Sequence, residues 1–364
     1  MGISYKEGAI KLILLNELLE LTINQKASDL HLTVGVPPTI RINGRLKALD
    51  YDKITPKDTE NYAKEILKDP KEYEEYIKMG EADTSYSIQG LGRFRVNLFK
   101  QRNSTAIALR VISIKVPTLK ELGHPEVLKQ LCDKQRGLIL VTGPTGSGKS
   151  TTLAAMINEI NMTRDAHIIT LEDPIEYLHK HNKSIINQRE IGKDSKSYKS
   201  ALKSILREDP DVILVGEMRD LETISIAITA AETGHLVLSS LHTIGAAKTI
   251  DRVVDVFPPY QQQQIKIQLS AVIQGIISQQ LIPKAHEKDR VAALEIMIAT
   301  PALQSMIREG KTHQIESSIQ TGGKYGMKTM DMALVELYKN DVIDEENLYT
   351  YAIDKDMVSR MVLI

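Results

Sequence analysis

The chain has two patterns of hydrophobic positions, one up to about residue 112 and one from about residue 124. In the first part apolar and polar residues alternate, which is typical of strands with one buried face. In the second part, short and almost wholly apolar runs alternate with segments of helical spacing, which is typical of parallel strands buried on both faces. The runs are 138–141, 168–171, 212–215 and 236–238, and the helical segments are 150–161, 198–207 and 221–233.

The first part predicts a small α+β domain, a sheet with helices on one face. An amphipathic helix is expected over about 8–25, and Asn43-Gly44 is a strong signal for a two-residue hairpin. Two charged helices are expected within 56–78, and a meander of strands within 84–114.

The second part predicts an α/β domain with a βαβ core. From Tyr260 onward the pattern is mainly helical, with one more strand near 292–298. We therefore expect an N-terminal domain over 1–112, a linker over 113–123 and a second domain over 124–364.

Composition and charge exclude several classes of protein. The 364 residues carry 46 Lys and Arg against 47 Asp and Glu, a net charge of −1, which argues against a protein that coats nucleic acid or anionic lipid. Aromatic residues make up 4% and tryptophan is absent, which disfavours a stacking platform for single strands. One cysteine can form neither an intrachain disulfide nor a four-thiolate zinc site. No apolar run is long enough to predict a transmembrane helix.

One motif carries clear chemistry, because residues 143–151 match the phosphate-binding P-loop G-x-x-x-x-G-K-[ST] between an apolar run and a helical segment. Glycines let backbone N–H groups turn towards a phosphate, a lysine reaches the β- and γ-phosphates, and a hydroxyl ligates Mg²⁺. The motif predicts binding of ATP with Mg²⁺, and a chance glycine-rich turn is the alternative. Its residues are Gly143, Pro144, Thr145, Gly146, Ser147, Gly148, Lys149, Ser150 and Thr151.

Three other apolar runs end in polar side chains, and ligands bind at the carboxyl ends of strands in such sheets. Glu217 follows the run 212–215 and is a candidate for Mg²⁺ or for positioning the attacking water; a solvent-facing loop glutamate is the alternative. Glu172, Asp173 and Glu176 follow the run 168–171. They are candidates for metal positioning and for a general base, or they form a solvated acidic turn.

Two histidines flank the remaining run. His242 follows its carboxyl end, where it could sense the γ-phosphate or act only as a structural hydrogen-bonding group. His235 precedes the strand, so a direct contact with nucleotide is less expected there.

Basic residues cluster on the strands of the first domain, among them Arg95 and Arg110. Three interpretations remain open from the residues alone: a solvated strand face, a surface for nucleic acid, and arginines that meet a nucleotide held by a P-loop domain.

In this order, the P-loop, the acidic segment 170–177, Gly216-Glu217 and the histidine segment 234–243 resemble the ATPases of type II and type IV secretion and of type IV pili. Glycine-glutamate at the strand end is a feature of that family. The segments Ala27–Leu32, Gly92–Asn97 and Asn187–Gly192 resemble its pilus-retraction branch, which powers twitching motility. The resemblance covers nearly the whole chain.

The resemblance implies a PAS-like N-terminal domain, a RecA-like ATPase domain with C-terminal helices, and a homo-hexamer. It implies that Arg95 and Arg110 lie over the triphosphate, that Glu176 is the catalytic carboxylate, and that Glu217 positions Mg²⁺ or water. It further implies a cytoplasmic location, peripheral to the inner membrane through a pilus platform protein, with no nucleic-acid partner and no membrane span.

Extension and secretion ATPases share this core and are the first alternative. They usually carry an additional N-terminal domain, and many carry a four-cysteine metal site. A chain that starts at the PAS-like domain and has one cysteine therefore favours retraction. The retraction branch also has a C-terminal helix motif that resembles 302–309, although Gln304-Ser305 departs from it. We expect this segment to serve a partner, or else to close the core.

Two other functions share the P-loop. A RecA-like nucleic-acid motor would need a basic channel, and the net charge gives no sign of one. A non-hydrolysing nucleotide sensor would not need the intact set Lys149, Glu176 and Glu217.

Overall fold

The computed structural model describes residues 14–42, 44–88, 90–112, 115–287 and 289–363. The chain divides into two compact units, Met1–Ile114 (unit 1) and Lys115–Ile364 (unit 2). The first residues of the expected helix over 8–25, together with Asn43, Ser113 and Ile114, lie outside the described residues.

The described residues of unit 1 form three helices and six strands. They are α1 Leu15–Asn24, β1 Asp29–Leu32, β2 Thr39–Ile42, β3 Arg45–Ala48, α2 Pro56–Ile66, α3 Pro70–Met79, β4 Glu81–Ile88, β5 Gly92–Gln101 and β6 Ser104–Ile112. Both charged helices begin at the predicted prolines, and the side chains of Thr55 and Asp69 cap them.

The strands of unit 1 form one antiparallel sheet in the order β3-β2-β1-β6-β5-β4. Alternate residues such as Leu30, Phe94 and Leu109 are buried in one core with Leu15 and Leu18 of α1. Ile42 pairs with Arg45, so the predicted hairpin connection between β2 and β3 has two residues. This is the α+β sheet that the alternation predicted.

Unit 2 begins with the helices and strands that surround the P-loop. They are α4 Val127–Cys132, β7 Gly137–Thr142, α5 Lys149–Thr163, β8 His167–Glu172, β9 Ile185–Glu190, α6 Tyr198–Ile205, β10 Val212–Val215, α7 Leu221–Glu232 and β11 Leu236–Leu241. It continues with α8 Ala246–Asp255, α9 Pro259–Val272, β12 Ile273–Pro283, β13 Arg290–Ile298, α10 Pro301–Glu309, α11 Ile315–Thr321, α12 Met330–Lys339, α13 Glu345–Tyr351 and α14 Lys355–Val362.

The sheet of unit 2 has the order β13-β12-β7-β11-β10-β8-β9. Every neighbouring pair is parallel except β12 with β13, which is antiparallel. The four predicted apolar runs become β7, β8, β10 and β11, which are adjacent in the sheet. Their carboxyl ends therefore lie along one edge, and the loops that follow them meet there.

The expectation of a mainly helical chain with one further strand after Tyr260 was wrong on one element. The structure has the predicted strand, β13, and also the eleven-residue strand β12 beside β7. Polar Gln274, Ser278 and Gln279 interrupt its apolar pattern, so the segment lacks the continuous apolar run by which the other central strands were recognised. The edge strand β9, with Asn187 and Gln188, also escaped the sequence pattern.

The helices after β13 divide between two cores. Leu303 and Ile307 of α10 pack with the main core of unit 2. Residues from α12, α13 and α14 form a separate small core with Ile282 and Ala293 of the last two strands. In the part of the chain that the structure describes, no helix combines the length and the hydropathy needed to cross a bilayer.

Candidate nucleotide-binding site

The P-loop connects β7 to α5 and leaves the first turn of α5 open to a ligand. Gly148 has φ +86° and Gly143 has φ +144°, conformations that L side chains rarely adopt. The helix that starts at Lys149 has fifteen residues, and the N–H groups of its first turn have no partner within the helix. A loop of this shape at a helix N-terminus is a binding site for phosphate.

The ammonium group of Lys149 lies inside the P-loop. Its Nζ donates hydrogen bonds to the carbonyl oxygens of Gly143, at 2.9 Å, and Pro144, at 3.0 Å. Burial lowers the pKa of Lys149, and the negative charges of Glu217 and Glu176 partly offset that effect. Two carbonyl oxygens thus hold the lysine at the loop, and two nearby carboxylates favour its charged form.

His242 lies between Lys149 and Glu217. Its Nδ1 is 3.5 Å from Lys149 Nζ, and its Nε2 is 3.3 Å from Glu217 Oε2. Both contacts are satisfied when Nδ1 accepts from the lysine and Nε2–H donates to the carboxylate, which assigns the neutral Nε2–H tautomer from the hydrogen-bond partners. The histidine therefore joins the P-loop to the strand-end glutamate.

Glu217 makes a second contact, because Arg219 Nε lies 2.6 Å from its Oε1. Its side chain is 17% exposed, so it is not the solvent-facing loop glutamate that was the alternative. Glu217 lies at the carboxyl end of β10, as predicted.

Gly216 brings this strand end close to its neighbours. A Cβ atom at Gly216 would lie 3.0 Å from the hydroxyl oxygen of Tyr198 and 3.1 Å from the carbonyl oxygen of Leu171. Burial raises the pKa of Tyr198, and the nearby carboxylates of Asp173 and Glu217 raise it further. Close packing at the end of β8 therefore favours glycine at position 216, the first residue of the Gly-Glu pair.

The acidic segment contains one structural carboxylate. Glu172 Oε1 accepts hydrogen bonds from Thr170 Oγ1 at 2.6 Å and Gln188 Nε2 at 3.0 Å. Burial raises the pKa of Glu172, although these donors and the N–H of Glu176 act in the opposite direction. Glu172 thus anchors the turn to β9.

The other two carboxylates, of Asp173 and Glu176, are exposed. The Asp173–Pro174 peptide bond is cis. Tyr177, next to Glu176, contacts Thr151 of the P-loop through an O···O distance of 2.9 Å, so the acidic segment is attached to α5.

His235 is at the opposite end of β11 from His242. Its Nδ1 lies 2.9 Å from the carbonyl oxygen of Ala230 in α7, which closes the end of that helix. This contact is consistent with the expectation that His235 is less suited than His242 to contact nucleotide directly.

In unit 1, Arg95 and Arg110 lie directly opposite each other on β5 and β6. Asp29 faces Arg110 from β1, and Arg41 faces Asp29 from β2. These four residues form a cross-strand row on the sheet face opposite the core. Both predicted arginines are exposed.

The sequence pattern missed the polar residues that support the loops of the site from β12 and β13. Gln279 Nε2 donates to the carbonyl oxygen of Ser147 at 2.7 Å. Ser278 Oγ accepts from Gly245 N at 2.9 Å, and Glu295 Oε1 accepts from Ala246 N at 2.7 Å. Ser278 and Glu295 pair across the two strands, and both hold the turn that follows His242. Polar residues inside an otherwise apolar segment were the one signal that could have found them.

The C-terminal segment 302–309 lies within α10. Leu303 and Ile307 are fully buried, whereas Arg308 and Glu309 are exposed. Ser305 Oγ donates to Glu309 Oε1 at 2.9 Å and accepts from Arg308 Nη2 at 3.2 Å. Ser305, one of the two residues that depart from the resembled motif, therefore links the two charged side chains.

Comparison with known proteins gives the family of this chain. Residues 80–357 match the family described as type II/IV secretion system protein. PilT of Pseudomonas aeruginosa, named as a type IV pilus retraction ATPase, is 51% identical over 92% of this chain and 96% of its own. A twitching motility protein of Neisseria gonorrhoeae is 47% identical over 85% of this chain and 82% of its own.

A solved structure has the same fold throughout. The crystal structure of the pilus retraction motor PilT with bound ADP superposes with a TM-score of 0.90 at 48% identity, over 96% of this chain and 100% of that one. The family match covers most of the chain, so the chain belongs to the type II/IV secretion system protein family.

Proposed function

We propose that this chain is an ATP-hydrolysing motor that retracts type IV pili. The observation that carries the proposal is the chain of contacts from Lys149 through His242 to Glu217, at the carboxyl ends of adjacent parallel strands. The names of the relatives at 51% and 47% identity support pilus retraction as the work that hydrolysis drives.

ATP binds with its phosphates in the P-loop and against the N-terminus of α5. Lys149 then contacts the β- and γ-phosphates in addition to the loop carbonyls. The hydroxyl of Ser150 and the carboxylate of Glu217 are the hard oxygen ligands that Mg²⁺ prefers, so the donor set fits this ion. Bound Mg²⁺ supplies positive charge that stabilises the charge developing on the phosphates.

In this proposal two carboxylates, of Glu217 and Glu176, act on the attacking water. Both oxygens of Glu217 have partners, Arg219 and His242, which suits a group that holds a charge in a fixed position. Glu176 is exposed beside the P-loop and suits a general base. His242 contacts both Lys149 and Glu217, so it can transmit a change at the γ-phosphate to the carboxylate.

Arg95 and Arg110 act on the triphosphate as charge-stabilising arginines in this proposal. Each is exposed on the outer face of the unit 1 sheet, and the ion pair with Asp29 restrains Arg110. An arginine of this kind contributes roughly 10³–10⁵ to the rate in other P-loop enzymes.

The working assembly in this proposal is a homo-hexamer in the cytoplasm that acts on a pilus platform protein at the inner membrane. Residues 1–112 form its PAS-like domain, and residues 124–364 form its RecA-like ATPase domain. The exposed Arg308 and Glu309 of α10 supply a surface for the platform protein.

Phosphate release by the purified chain tests the proposal, with ATP as substrate and with Mg²⁺ or excess EDTA. We expect turnover that needs Mg²⁺ and that single-stranded or duplex DNA does not stimulate. Turnover that depends on DNA would favour a nucleic-acid motor, and absence of turnover with retained ATP binding would favour a nucleotide sensor.

A further inference from the structure

Gln279 of β12 lies directly beneath the P-loop and contacts it with both its backbone and its side chain. A Cβ atom at Gly143 would lie 2.2 Å from the carbonyl oxygen of Gln279, and a Cβ atom at Gly148 would lie 2.8 Å from its Nε2. The backbone of Gln279 therefore requires glycine at position 143. Its amide packs closely against Gly148, where the φ of +86° also favours glycine. Gln279 is 2% exposed.

The side-chain amide of Gln279 belongs to a chain of buried hydrogen bonds. Its Nε2 donates to the carbonyl oxygen of Ser147 at 2.7 Å, and its Oε1 accepts from Thr152 Oγ1 at 2.6 Å. Thr152 Oγ1 in turn lies 2.9 Å from His124 Nε2. Thr152 and Ser147 are also buried, so each of these polar groups needs its partner.

The donor and the acceptor of each hydrogen bond in this chain follow from the carbonyl oxygen of Ser147, at its end. A carbonyl oxygen only accepts, so the NH₂ group of Gln279 must face Ser147 and its oxygen must face Thr152. The hydroxyl of Thr152 donates its one hydrogen to Gln279, so it accepts a hydrogen bond from His124. His124 therefore carries its proton on Nε2. Burial lowers the pKa of His124 to about 4, which keeps the ring in this neutral form near pH 7.

These bonds fix the peptide group between Ser147 and Gly148. In a trans peptide the C=O and the following N–H point in opposite directions. A carbonyl of Ser147 held towards Gln279 therefore points the N–H of Gly148 away from β12, towards the side of the loop that receives phosphate.

We infer that Gln279 is a positioning residue for the phosphates of the nucleotide, and that Thr152 and His124 hold its amide in the working orientation. The inference rests on nucleotide binding at the P-loop, as the proposed function does. His124 belongs to the segment that follows the boundary between the two units, so that segment is connected to the phosphate loop by three side chains.

Two substitutions of Thr152 separate positioning from packing. Thr152→Val keeps the shape and removes the hydroxyl, whereas Thr152→Ser keeps the hydroxyl and removes a methyl group. We expect Thr152→Val and Gln279→Glu to weaken binding of fluorescent ADP by about tenfold or more, because a buried polar group loses its partner. Thr152→Ser should bind within about threefold of the original chain.

Thermal unfolding without nucleotide and two further variants serve as controls. Thr22→Val removes another buried, hydrogen-bonded hydroxyl, in α1 of unit 1, and should leave ADP affinity unchanged. Lys149→Ala shows whether the binding measured is that of the P-loop. If Lys149→Ala abolishes binding but Thr152→Val binds ADP normally, or if Thr152→Ser loses as much affinity as Thr152→Val, the inference about Gln279 is wrong while nucleotide binding stands. If the original chain binds no ADP, the proposed function fails as well.

Discussion

Asp29 and Arg110 form an ion pair across neighbouring strands of unit 1, with 2.9 Å between Oδ1 and Nε. Burial alone raises the pKa of the Asp29 carboxyl, but the hydrogen bonds from Ser28 and Arg110 outweigh it and the pKa lies below its usual value. On its other side Arg110 faces Arg95, an arrangement of like charges that is unfavourable between opposed residues. Asp29 therefore both restrains Arg110 and offsets part of that repulsion.

Replacement of Asp29 by Asn should slow ATP hydrolysis by roughly tenfold, about 1.4 kcal/mol in the barrier, because Arg110 loses its orienting charge. The measurement is the steady-state rate of phosphate release at saturating ATP. Asp83→Asn, which removes an exposed carboxylate on β4 of the same sheet, is the matched control and should have little effect.

A double-variant cycle decides whether Asp29 acts through Arg110. Arg110→Ala alone should fold, bind ATP and hydrolyse it slowly, as should Arg95→Ala. Asp29→Asn added to Arg110→Ala should cost nothing more. A full tenfold loss of rate in the Arg110→Ala background would show that Asp29 has another role. Normal rates in both arginine variants would favour the alternative interpretation, in which Arg95 and Arg110 only form a solvated strand face.

Glu217→Gln should retain ATP and stop or greatly slow its hydrolysis, because the shape stays while the charge near Lys149 and Arg219 is lost. Retained nucleotide can be measured by filter binding, and turnover by phosphate release. Glu222→Gln, an exposed carboxylate of α7 paired with Lys199, is the control and should turn over normally. Normal turnover in Glu217→Gln would exclude this strand end from the chemistry.

Gly216→Ala tests the close packing between β10, β8 and Tyr198. The added Cβ would press on a hydroxyl and a carbonyl oxygen at 3.0 and 3.1 Å, so we expect unfolding to become easier by about 1–3 kcal/mol and turnover to fall. Gly323→Ala, where a Cβ meets nothing within 4 Å, should leave both quantities unchanged. Thermal unfolding and phosphate release measure the two effects, and equal behaviour of the two alanine variants would contradict the packing argument.

Replacement of both Arg308 and Glu309 by Ala should leave ATP hydrolysis and assembly near normal, because the buried Leu303 and Ile307 still pack. Cells with this variant should keep pili and lose twitching. The control is replacement of both Glu60 and Lys64 by Ala. These residues form an exposed ion pair on α2, and their loss should leave twitching intact. Loss of hydrolysis would instead make α10 part of the ATPase core, and retained twitching would remove Arg308 and Glu309 from the partner surface.

The elements that carry the chemistry were predictable from the sequence, because their signals are local. The P-loop is a contiguous motif, and β7, β8, β10 and β11 are unbroken apolar runs. Adjacent parallel strands then place Glu217 and His242 at one edge of the sheet.

The supporting residues were not predictable, because their partners are distant in sequence. Gln279 contacts Ser147, which lies 132 positions earlier, and Glu295 contacts Ala246, 49 positions earlier. Strand β12 itself was not recognised, because its polar side chains break the apolar pattern. The hydrogen bonds that compensate for their burial form only in the folded chain. The burial of Glu172 is of the same kind, because its donor Gln188 lies 16 positions later on the neighbouring strand β9.

We expect ATP hydrolysis by this chain to remove pili and not to build them. The most direct test of this expectation is the number of surface pili, counted by electron microscopy, on cells whose own copy of the chain carries Lys149→Ala. Such cells should have many pili and no twitching, because assembly continues while retraction has stopped. Cells without pili would contradict it, since they would show that the chain drives extension.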